Sequence, residues 1–263
     1  MSLSVDNLTL YANGPGSRCL CDGLSNVFQP GQNWVILGAN GSGKTRLLHT
    51  LAGLRKPDSG EVRLLNKPID AYTPKQRARN IGVLFQDAEL FPATVLETAL
   101  AGRHPHAPDH GWQRFWPLES DTDKTLAMQA LTAMGIAEMA GRDITSLSGG
   151  ERRRSDIAAL LTQDAPICML DEATNDLDLR HQVQVLGNFA DRTQKPDHLN
   201  LFILHDINLA LRYCSHALMI FDNGRIETGE LPDCLSVDVL SELYGCGFSV
   251  NKVDDEVFYL PVG

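Results

Sequence analysis

The 263-residue chain has few of the features that mark secreted, zinc-binding or membrane-spanning proteins. Its six cysteines include no C-x-x-C pair, so neither a zinc site nor a disulfide framework is indicated and we expect a reducing, cytosolic setting. The first residues lack the basic start and apolar block of a signal peptide, and we expect no secretion. No apolar run exceeds about six residues, far below the roughly 20 that a membrane-spanning helix needs, so a role at a membrane requires a partner.

The chain has fewer positive than negative side chains, with 23 Lys and Arg against 33 Asp and Glu. Its formal net charge is −10, which argues against a nucleic-acid partner, because such proteins use Lys and Arg to displace counterions from phosphates. By contrast, 43% hydrophobic residues are enough to form a core without disulfides. We therefore expect one large globular domain or one domain with a sizeable insertion.

Four short apolar runs are each followed by a polar residue or glycine and then by a helix-like segment. Those residues are Gly38, Gln86, Asp171 and His205. Strands that alternate with helices predict an α/β fold with a mainly parallel sheet. Because functional groups gather beyond the carboxyl ends of such strands, these four positions are the first candidates for chemistry.

Other patterns predict antiparallel and helical parts. "SLSVDNLTL" and "SGEVRLL" are typical of half-buried strands in a small antiparallel sheet. Asn223 and Gly224 predict a hairpin with a type I′ turn. Residues 94–146 contain no strand candidate but a helix-like stretch that ends at Gly135, which predicts a helical insertion.

The stretch "GANGSGKT", residues 38–45, fits the phosphate-loop pattern G-x-x-x-x-G-K-[ST] and lies between a predicted strand and a predicted helix. Its glycines let backbone N–H groups surround phosphates, Lys44 can reach the outer phosphates, and the Thr45 hydroxyl can ligate Mg²⁺. Two further glycines precede a helix start in "LSGGERRR", residues 147–154, and form a second candidate anion site.

Acidic and polar side chains at the other strand ends complete a hydrolytic site. Asp171 is the candidate Mg²⁺ contact, and Glu172 can orient or deprotonate an attacking water. Gln86 can bridge metal and water, while a neutral His205 can hydrogen-bond the γ-phosphate. The alternatives are that the Asp-Glu pair is solvated surface and that the lone histidine is structural.

These motifs, in this order, resemble the ATP-binding cassette (ABC) family over nearly the whole chain. In that family's terms "GANGSGKT" is Walker A, Gln86 the Q-loop, "LSGGE" the signature, "ICMLDE" Walker B, "NDLD" the D-loop and His205 the H-loop. The resemblance implies one nucleotide-binding domain, 1–263, with a P-loop NTPase core plus antiparallel β subdomain in 1–93 and 147–263. Residues 94–146 are the implied helical subdomain, which ends at the signature.

The resemblance also implies an ATPase that uses ATP and Mg²⁺, and it assigns roles to residues. The implied ATP contacts are Tyr11, stacked on adenine, and Gly38, Ala39, Asn40, Gly41, Ser42, Gly43, Lys44, Thr45 and Arg46. The implied Mg²⁺ ligands are Thr45, Gln86 and Asp171, and the implied catalytic residues are Glu172, His205 and Gln86. The signature residues Ser148, Gly149, Gly150 and Glu151 are expected to contact the ATP of a partner subunit, near the D-loop residue Asp178.

Three positions depart from the family's usual pattern. Arg46 replaces a small hydroxyl residue after the Walker A threonine, Arg153 stands where Gln is common, and Ala173 replaces the proline after the catalytic glutamate. None of them removes a phosphate or metal ligand, so we expect an active ATPase.

The resemblance further implies partners. Two cassettes face each other head to tail, each signature completing the other's ATP site, and we expect a homodimer. Because the chain has no apolar run long enough to span a membrane, we expect integral permease subunits that hold it peripherally at the cytoplasmic face of the membrane, with a substrate-binding protein as an indirect partner. In the family, the groove beside the Q-loop receives a permease helix, which makes residues 86–95 the coupling candidates.

The ordered pattern "tV-x-x-x-x-x-x-GR-x-PH" within residues 94–106 resembles importer ATPases for iron siderophores, haem and cobalamin. A bland alternative is that Arg103, His104 and His106 form a polar loop. Two other functions stay open: the ATPase of an exporter with separate membrane subunits, and a soluble ATPase in cofactor assembly.

Overall fold

The computed structural model describes residues 2–86, 92–107, 120–254 and 256–262. The strands are β1 (Leu3–Tyr11), β2 (Cys19–Phe28), β3 (Asn33–Leu37), β4 (Ser59–Leu64), β5 (Lys67–Pro68), β6 (Ile81–Leu84), β7 (Ile167–Asp171), β8 (Leu199–Ile203), β9 (His216–Ile220), β10 (Ile226–Glu230), β11 (Gly247–Val253) and β12 (Glu256–Val262). The α-helices are α1 (Lys44–Leu51), α2 (Pro74–Ala78), α3 (Val95–Ala101), α4 (Asp121–Ala133), α5 (Gly149–Gln163), α6 (Leu179–Thr193), α7 (Ile207–Tyr213) and α8 (Val237–Tyr244). Among these helices, none combines the length and apolarity that a membrane span requires.

The chain divides into two compact units. Met1–Ala71 and Ala190–Gly263 form the first unit, and Tyr72–Phe189 forms the second. The subdomain boundaries expected at residues 94 and 147 stay a prediction.

The first unit contains the predicted antiparallel sheet and several parallel strands. The antiparallel sheet has the order β2-β1-β4-β5. β3 pairs in parallel with β8 on one side and β9 on the other, and β10 pairs antiparallel with β9. All five residues of β3 are buried, as expected of a parallel strand covered on both faces.

The second unit contains the parallel pair β6 and β7 and the helices α3, α4 and α5. Leu84 lies opposite Leu170 in the strand pair, so Gln86 and Asp171 leave the strands at the same edge. Helix α5 packs against both α3 and α4, and α4 is followed by Gly135 with φ +65°, where the sequence predicts the helix to stop. The α/β prediction, with mainly parallel strands, an antiparallel sheet and helices, is confirmed.

The β9–β10 hairpin forms where predicted, but the predicted turn type is wrong. A type I′ turn needs positive φ at both central residues, and of Asn223 and Gly224 only Gly224 has it, at 84°. The Phe221 N–H donates to the Arg225 carbonyl at 3.0 Å, and the Gly224 N–H donates to the Phe221 carbonyl at 2.9 Å. This is the wider loop in which a left-handed glycine follows a type I turn.

A tertiary contact accompanies that wider loop. The Gly224 carbonyl accepts a hydrogen bond from the Asp22 N–H of β2 at 3.0 Å. A Cβ atom at Gly224 would lie 3.0 Å from the sulfur of Cys19. The loop is thus shaped by its fit against β2, which a local sequence pattern does not contain.

The "GR" pair after α3 joins two helices of the second unit. At Gly102 a Cβ atom would lie 2.1 Å from the Ala159 carbonyl oxygen of α5, so the close approach needs glycine. Arg103 Nε donates to Asp123 at 2.7 Å, and its Nη1 donates to the Thr162 carbonyl in the last turn of α5 at 3.2 Å. Arg103 therefore satisfies a terminal carbonyl of α5 and ties it to α4.

We predict that Gly102→Ala lowers the free energy of unfolding by about 1–3 kcal/mol, because the added methyl forces α3 and α5 apart. The matched control is Gly187→Ala in α6, where a Cβ meets nothing within 4 Å. It should raise the free energy of unfolding by about 0.5–1 kcal/mol through helix propensity alone. Chemical denaturation measures both, and equal effects of the two substitutions would contradict the close-contact explanation.

Candidate functional site

The phosphate loop lies in the first unit between the end of β3 and the start of α1. Gly38 follows β3, and a Cβ atom there would lie 2.7 Å from both the Ile220 carbonyl oxygen and Ser42 Oγ. Gly43 precedes Lys44, the first residue of α1, with φ 107°. The loop can take this path because glycine lacks a Cβ, and it aims the first N–H groups of α1 toward the bend, where an anion binds favourably.

Two buried polar side chains belong to the same loop. Lys44 is 6% exposed, and its Nζ donates to the carbonyls of Gly38 at 2.8 Å and Ala39 at 3.0 Å. Ser42 Oγ is buried and has no hydrogen-bond partner within the described part of the chain. A buried hydroxyl without a partner costs free energy, and an anion oxygen at the helix start is the kind of group that would satisfy it.

Tyr11 is held in the first unit by an ion pair. Its backbone N–H donates to Asp58 Oδ2 at 2.8 Å, and the same oxygen pairs with Arg46 Nη2 at 3.3 Å. Arg46 Nη1 also donates to the Ala12 carbonyl at 3.2 Å. Arg46, one of the three departures from the family pattern, thus braces the end of β1 where Tyr11 lies.

His205 emerges near the phosphate loop's strand edge. It follows β8, the parallel neighbour of β3, and its side chain is exposed. It lines a cleft of about 580 Å³ together with the aromatic rings of Tyr244, Phe248 and Tyr259. Asp206 caps α7 by accepting from two backbone N–H groups, which holds the turn that carries His205.

Tyr244 connects the last helix to the phosphate loop. Burial raises the pKa of Tyr244 to about 12, while a hydrogen bond with the Gly38 backbone acts in the opposite direction. The phenol is therefore neutral at physiological pH and contacts the first residue of Walker A.

In the second unit, the parallel pair β6 and β7 brings three candidate residues to one edge. Gln86 is exposed two residues beyond β6. Asp171 ends β7 and is 1% exposed, whereas Glu172 is half-buried. The Asn175 amide donates to Glu172 Oε2 at 2.7 Å, so a D-loop residue orients the candidate base.

Glu172 has an unusual backbone conformation. Its φ is +49°, in the left-handed region that favours glycine. For another residue this region costs on the order of 1–3 kcal/mol and persists only when surrounding contacts hold it. The strained residue is the last one of Walker B, directly before the segment that leads to the D-loop.

The signature begins α5 with a complete capping box. The Glu151 N–H donates to Ser148 Oγ at 3.3 Å, and the Ser148 N–H donates to Glu151 Oε2 at 2.8 Å. This second bond holds the pKa of Glu151 below its ordinary value. A Cβ atom at Gly149 would meet nothing within 4 Å, so the backbone at this helix start is accessible to a bulky partner.

Asp178 lies at the start of α6. Its carboxylate accepts from the His181 backbone N–H at 3.0 Å and pairs with His181 Nδ1 at 2.9 Å. The backbone bond is the main cause that lowers the pKa of Asp178. The side chain therefore stabilises a helix start whatever further role it has.

The comparisons with known proteins agree with one another. The family model described as "ABC transporter" matches residues 21–175. The petrobactin import ATP-binding protein FpuD of Bacillus anthracis is 34% identical, covering 100% of this chain and 94% of FpuD. The hemin import ATP-binding protein HmuV of Escherichia coli O157:H7 is 34% identical, covering 95% of this chain and 94% of HmuV. The chain belongs to the ABC transporter family.

A solved structure supports the same fold. An inward-facing ABC transporter assigned to the metal-chelate type matches with a TM-score of 0.81 at 26% identity, covering 100% of this chain and 98% of the solved one. The chain is thus an ABC ATPase. Of its candidate coupling segment, residues 87–91 lie outside the described residues.

Several residues that contact the candidate site are not predicted by the sequence motifs. Asp58, Asn175 and Tyr244 contact Tyr11, Glu172 and Gly38 respectively, and Arg18 donates to the Gly41 carbonyl of Walker A. The D-loop motif could have indicated Asn175, because Asn175 is the first residue of "NDLD". The other three come from parts of the chain that carry no motif.

We predict that Asp58→Ala weakens ATP binding about fivefold, because loss of a hydrogen bond worth about 1 kcal/mol releases the backbone of Tyr11. The control is Glu61→Ala, which removes a carboxylate from the exposed pair with Arg63 at 2.6 Å and should leave affinity unchanged. Titration with a fluorescent ATP analogue measures both, and equal affinities for wild type and Asp58→Ala would contradict the role of Asp58.

Proposed function

We propose that this ABC ATPase powers a membrane importer for iron-siderophore, haem or cobalamin-type substrates. The observation that carries the proposal is the near full-length match to ATP-binding proteins named for petrobactin and hemin import. The Gly102–Arg103 helix contacts give the "GR-x-PH" pattern a structural role in the helical segment, and this role is compatible with the importer resemblance.

The proposed ATP hydrolysis uses the phosphate loop and the candidate residues that lie at or beyond the strand ends. Lys44 and the N–H groups at the start of α1 bind the outer phosphates of ATP. Glu172 accepts the proton of the attacking water, and His205 donates a hydrogen bond to the γ-phosphate oxygen. Gln86 orients the water, and Tyr11 stacks on the adenine.

The candidate metal ligands fit Mg²⁺. Thr45, Gln86 and Asp171 offer hydroxyl, amide and carboxylate oxygens, which are the donors that Mg²⁺ prefers. When bound, the metal neutralises charge on the phosphates.

The signature acts on a second copy of the chain. One helix start stabilises an exposed anion by only about 0.3–1 kcal/mol, whereas moving a pair of subunits from mostly open to mostly closed takes roughly 5.5 kcal/mol of differential binding. Two ATP molecules, each held by the Walker A residues of one subunit and by Ser148, Gly149, Gly150 and Glu151 of the other, can supply that difference. Hydrolysis then removes this shared contact, and the closed homodimer opens.

Transport requires membrane-spanning subunits in addition to the ATPase. Integral permease subunits hold the ATPase at the cytoplasmic face of the membrane and receive the motion through the segment after Gln86. A substrate-binding protein delivers the cargo to them.

The proposal predicts that the chain, purified from its native membrane, copurifies with an integral membrane protein. In vesicles the complex takes up a radiolabelled ferric siderophore, hemin or cobalamin only when ATP is present on the cassette side. Copurification with soluble assembly proteins alone would overturn the proposal, as would ATP-driven export of all three substrates.

We predict that Glu172→Gln traps an ATP-bound dimer and stops uptake, because the base that activates water is lost. Size-exclusion chromatography with ATP and Mg²⁺ detects the dimer. Glu138→Gln, an exposed glutamate outside the site, should behave as wild type. A strictly monomeric Glu172→Gln protein at saturating ATP would count against the closed dimer.

We also predict that Ser148→Arg abolishes turnover while ATP binding to the isolated chain stays intact, because the bulky cation blocks the partner's phosphates. Ser120→Arg is the matched control, since Ser120 caps α4 with the same kind of box. Both changes lose a cap worth about 0.5–2 kcal/mol. If Ser120→Arg lost turnover equally, or Ser148→Arg lost ATP binding as a monomer, the signature would not act on a partner.

A further inference from the structure

Arg153 is buried at the start of the signature helix, although arginine side chains are seldom buried. It is the fifth residue of α5 and is 5% exposed. A buried guanidinium is costly unless its donors are satisfied, so its partners indicate what it does.

The described partners of Arg153 include four backbone carbonyls at the two strand ends of the second unit. Nη1 donates to Phe85 at 2.6 Å and to Gln86 at 3.3 Å. Nη2 donates to Asp171 at 3.0 Å, and Nε donates to Ala173 at 3.1 Å.

These carbonyls surround the two residues that act on water. Asp171 and Ala173 flank Glu172, so Arg153 holds the backbone on both sides of the residue with φ +49°. Phe85 and Gln86 form the start of the Q-loop. Arg153 itself belongs to α5, whose first turn contains the signature, so it connects the signature helix to both strand ends.

The number of donors explains why the residue is arginine. A guanidinium has five N–H donors in a planar fork, whereas a Gln amide has two and a Lys ammonium is a single point charge. Arginine can therefore donate to all four carbonyls at once, which the two donors of Gln and the three of Lys cannot. Burial raises the pKa of the Asp156 carboxyl, and the positive charge of Arg153 partly opposes that rise.

We propose that Arg153 is a positioning residue that fixes Glu172 and Gln86 relative to the signature helix, so that a shift of α5 on dimer closure moves both groups together. The proposal rests on the catalytic roles given to Glu172 and Gln86 under the proposed function. Asn175 completes the arrangement, since it holds the Glu172 carboxylate while Arg153 holds the backbone around it.

The test compares Arg153→Met with Arg154→Met in the full chain. Arg154 is the next residue of α5, and it donates to the carbonyls of Met134 at 3.0 Å and Gly135 at 3.3 Å, away from Gln86 and Glu172. Both variants lose one arginine with two or more carbonyl acceptors. Steady-state hydrolysis, ATP binding to the monomer and thermal unfolding are measured for each.

We expect Arg153→Met to lower kcat on the order of 10²-fold, because small misplacements of a catalytic group have effects of that size. The KM for ATP should change less than about threefold, since uniform binding is untouched. Arg153→Gln and Arg153→Lys should recover part of kcat, and they keep the test decisive if Arg153→Met does not fold. Arg154→Met should keep kcat.

A double-mutant cycle separates positioning from general stability. In single-turnover assays, the loss caused by Arg153→Met should shrink to about tenfold or less in a Glu172→Gln background, because one of the two groups that Arg153 positions is already gone. A loss of the same size in both backgrounds would overturn the proposal, as would unchanged kcat in all three Arg153 variants. If Glu172→Gln itself kept full turnover, the proposed catalytic role of Glu172 would fail instead.

Discussion

The candidate site depends on parallel strands that pair in register and end together. Along a paired strand the backbone groups are satisfied by the neighbouring strand, but beyond the last residue they are available to turns, side chains and ligands. Pairing of β3 with β8 places Gly38 and His205 beyond one such edge, and pairing of β6 with β7 does the same for Gln86 and Asp171. These four candidate residues therefore lie where a strand ends and its backbone pairing stops.

Carbonyl groups beyond those ends, and at helix ends, need donors, and in this chain arginines supply many of them. Arg46 donates to Ala12, Arg103 to the last turn of α5, and Arg153 to both strand ends of the second unit. The planar fork of arginine lets one side chain join several backbone segments. Two of the three departures from the family pattern thus have a structural explanation, and the third, Ala173, is a carbonyl acceptor of Arg153; nothing in the structure explains why alanine replaces proline there.

Local patterns predicted much of this fold. Buried strands such as β3 and β7 are mostly continuous apolar runs. Helices α4 and α8 end before glycines with positive φ. The phosphate loop matches a specific sequence pattern. The C-terminal hairpin β11–β12 was not predicted, because it exposes Val250, Val253, Leu260 and Val262 and so lacks the buried alternation that marks a strand. The predicted type of the β9–β10 turn was wrong because the Asn223-Gly224 pair suits two loop types. The contact of Gly224 with β2 favours the wider loop.

The sequence by itself predicted which residues carry the chemistry, since motifs of fixed spacing place Lys44 at a predicted helix start and Asp171 and Glu172 at the end of a predicted strand. It also determined the family, because the motifs follow one another in a specific order. Only the tertiary structure decided which side chains hold those residues in place. Asp58, Arg153 and Tyr244 are far along the chain from the groups they contact, and hydrogen-bond geometry between distant segments leaves no periodic pattern in the sequence.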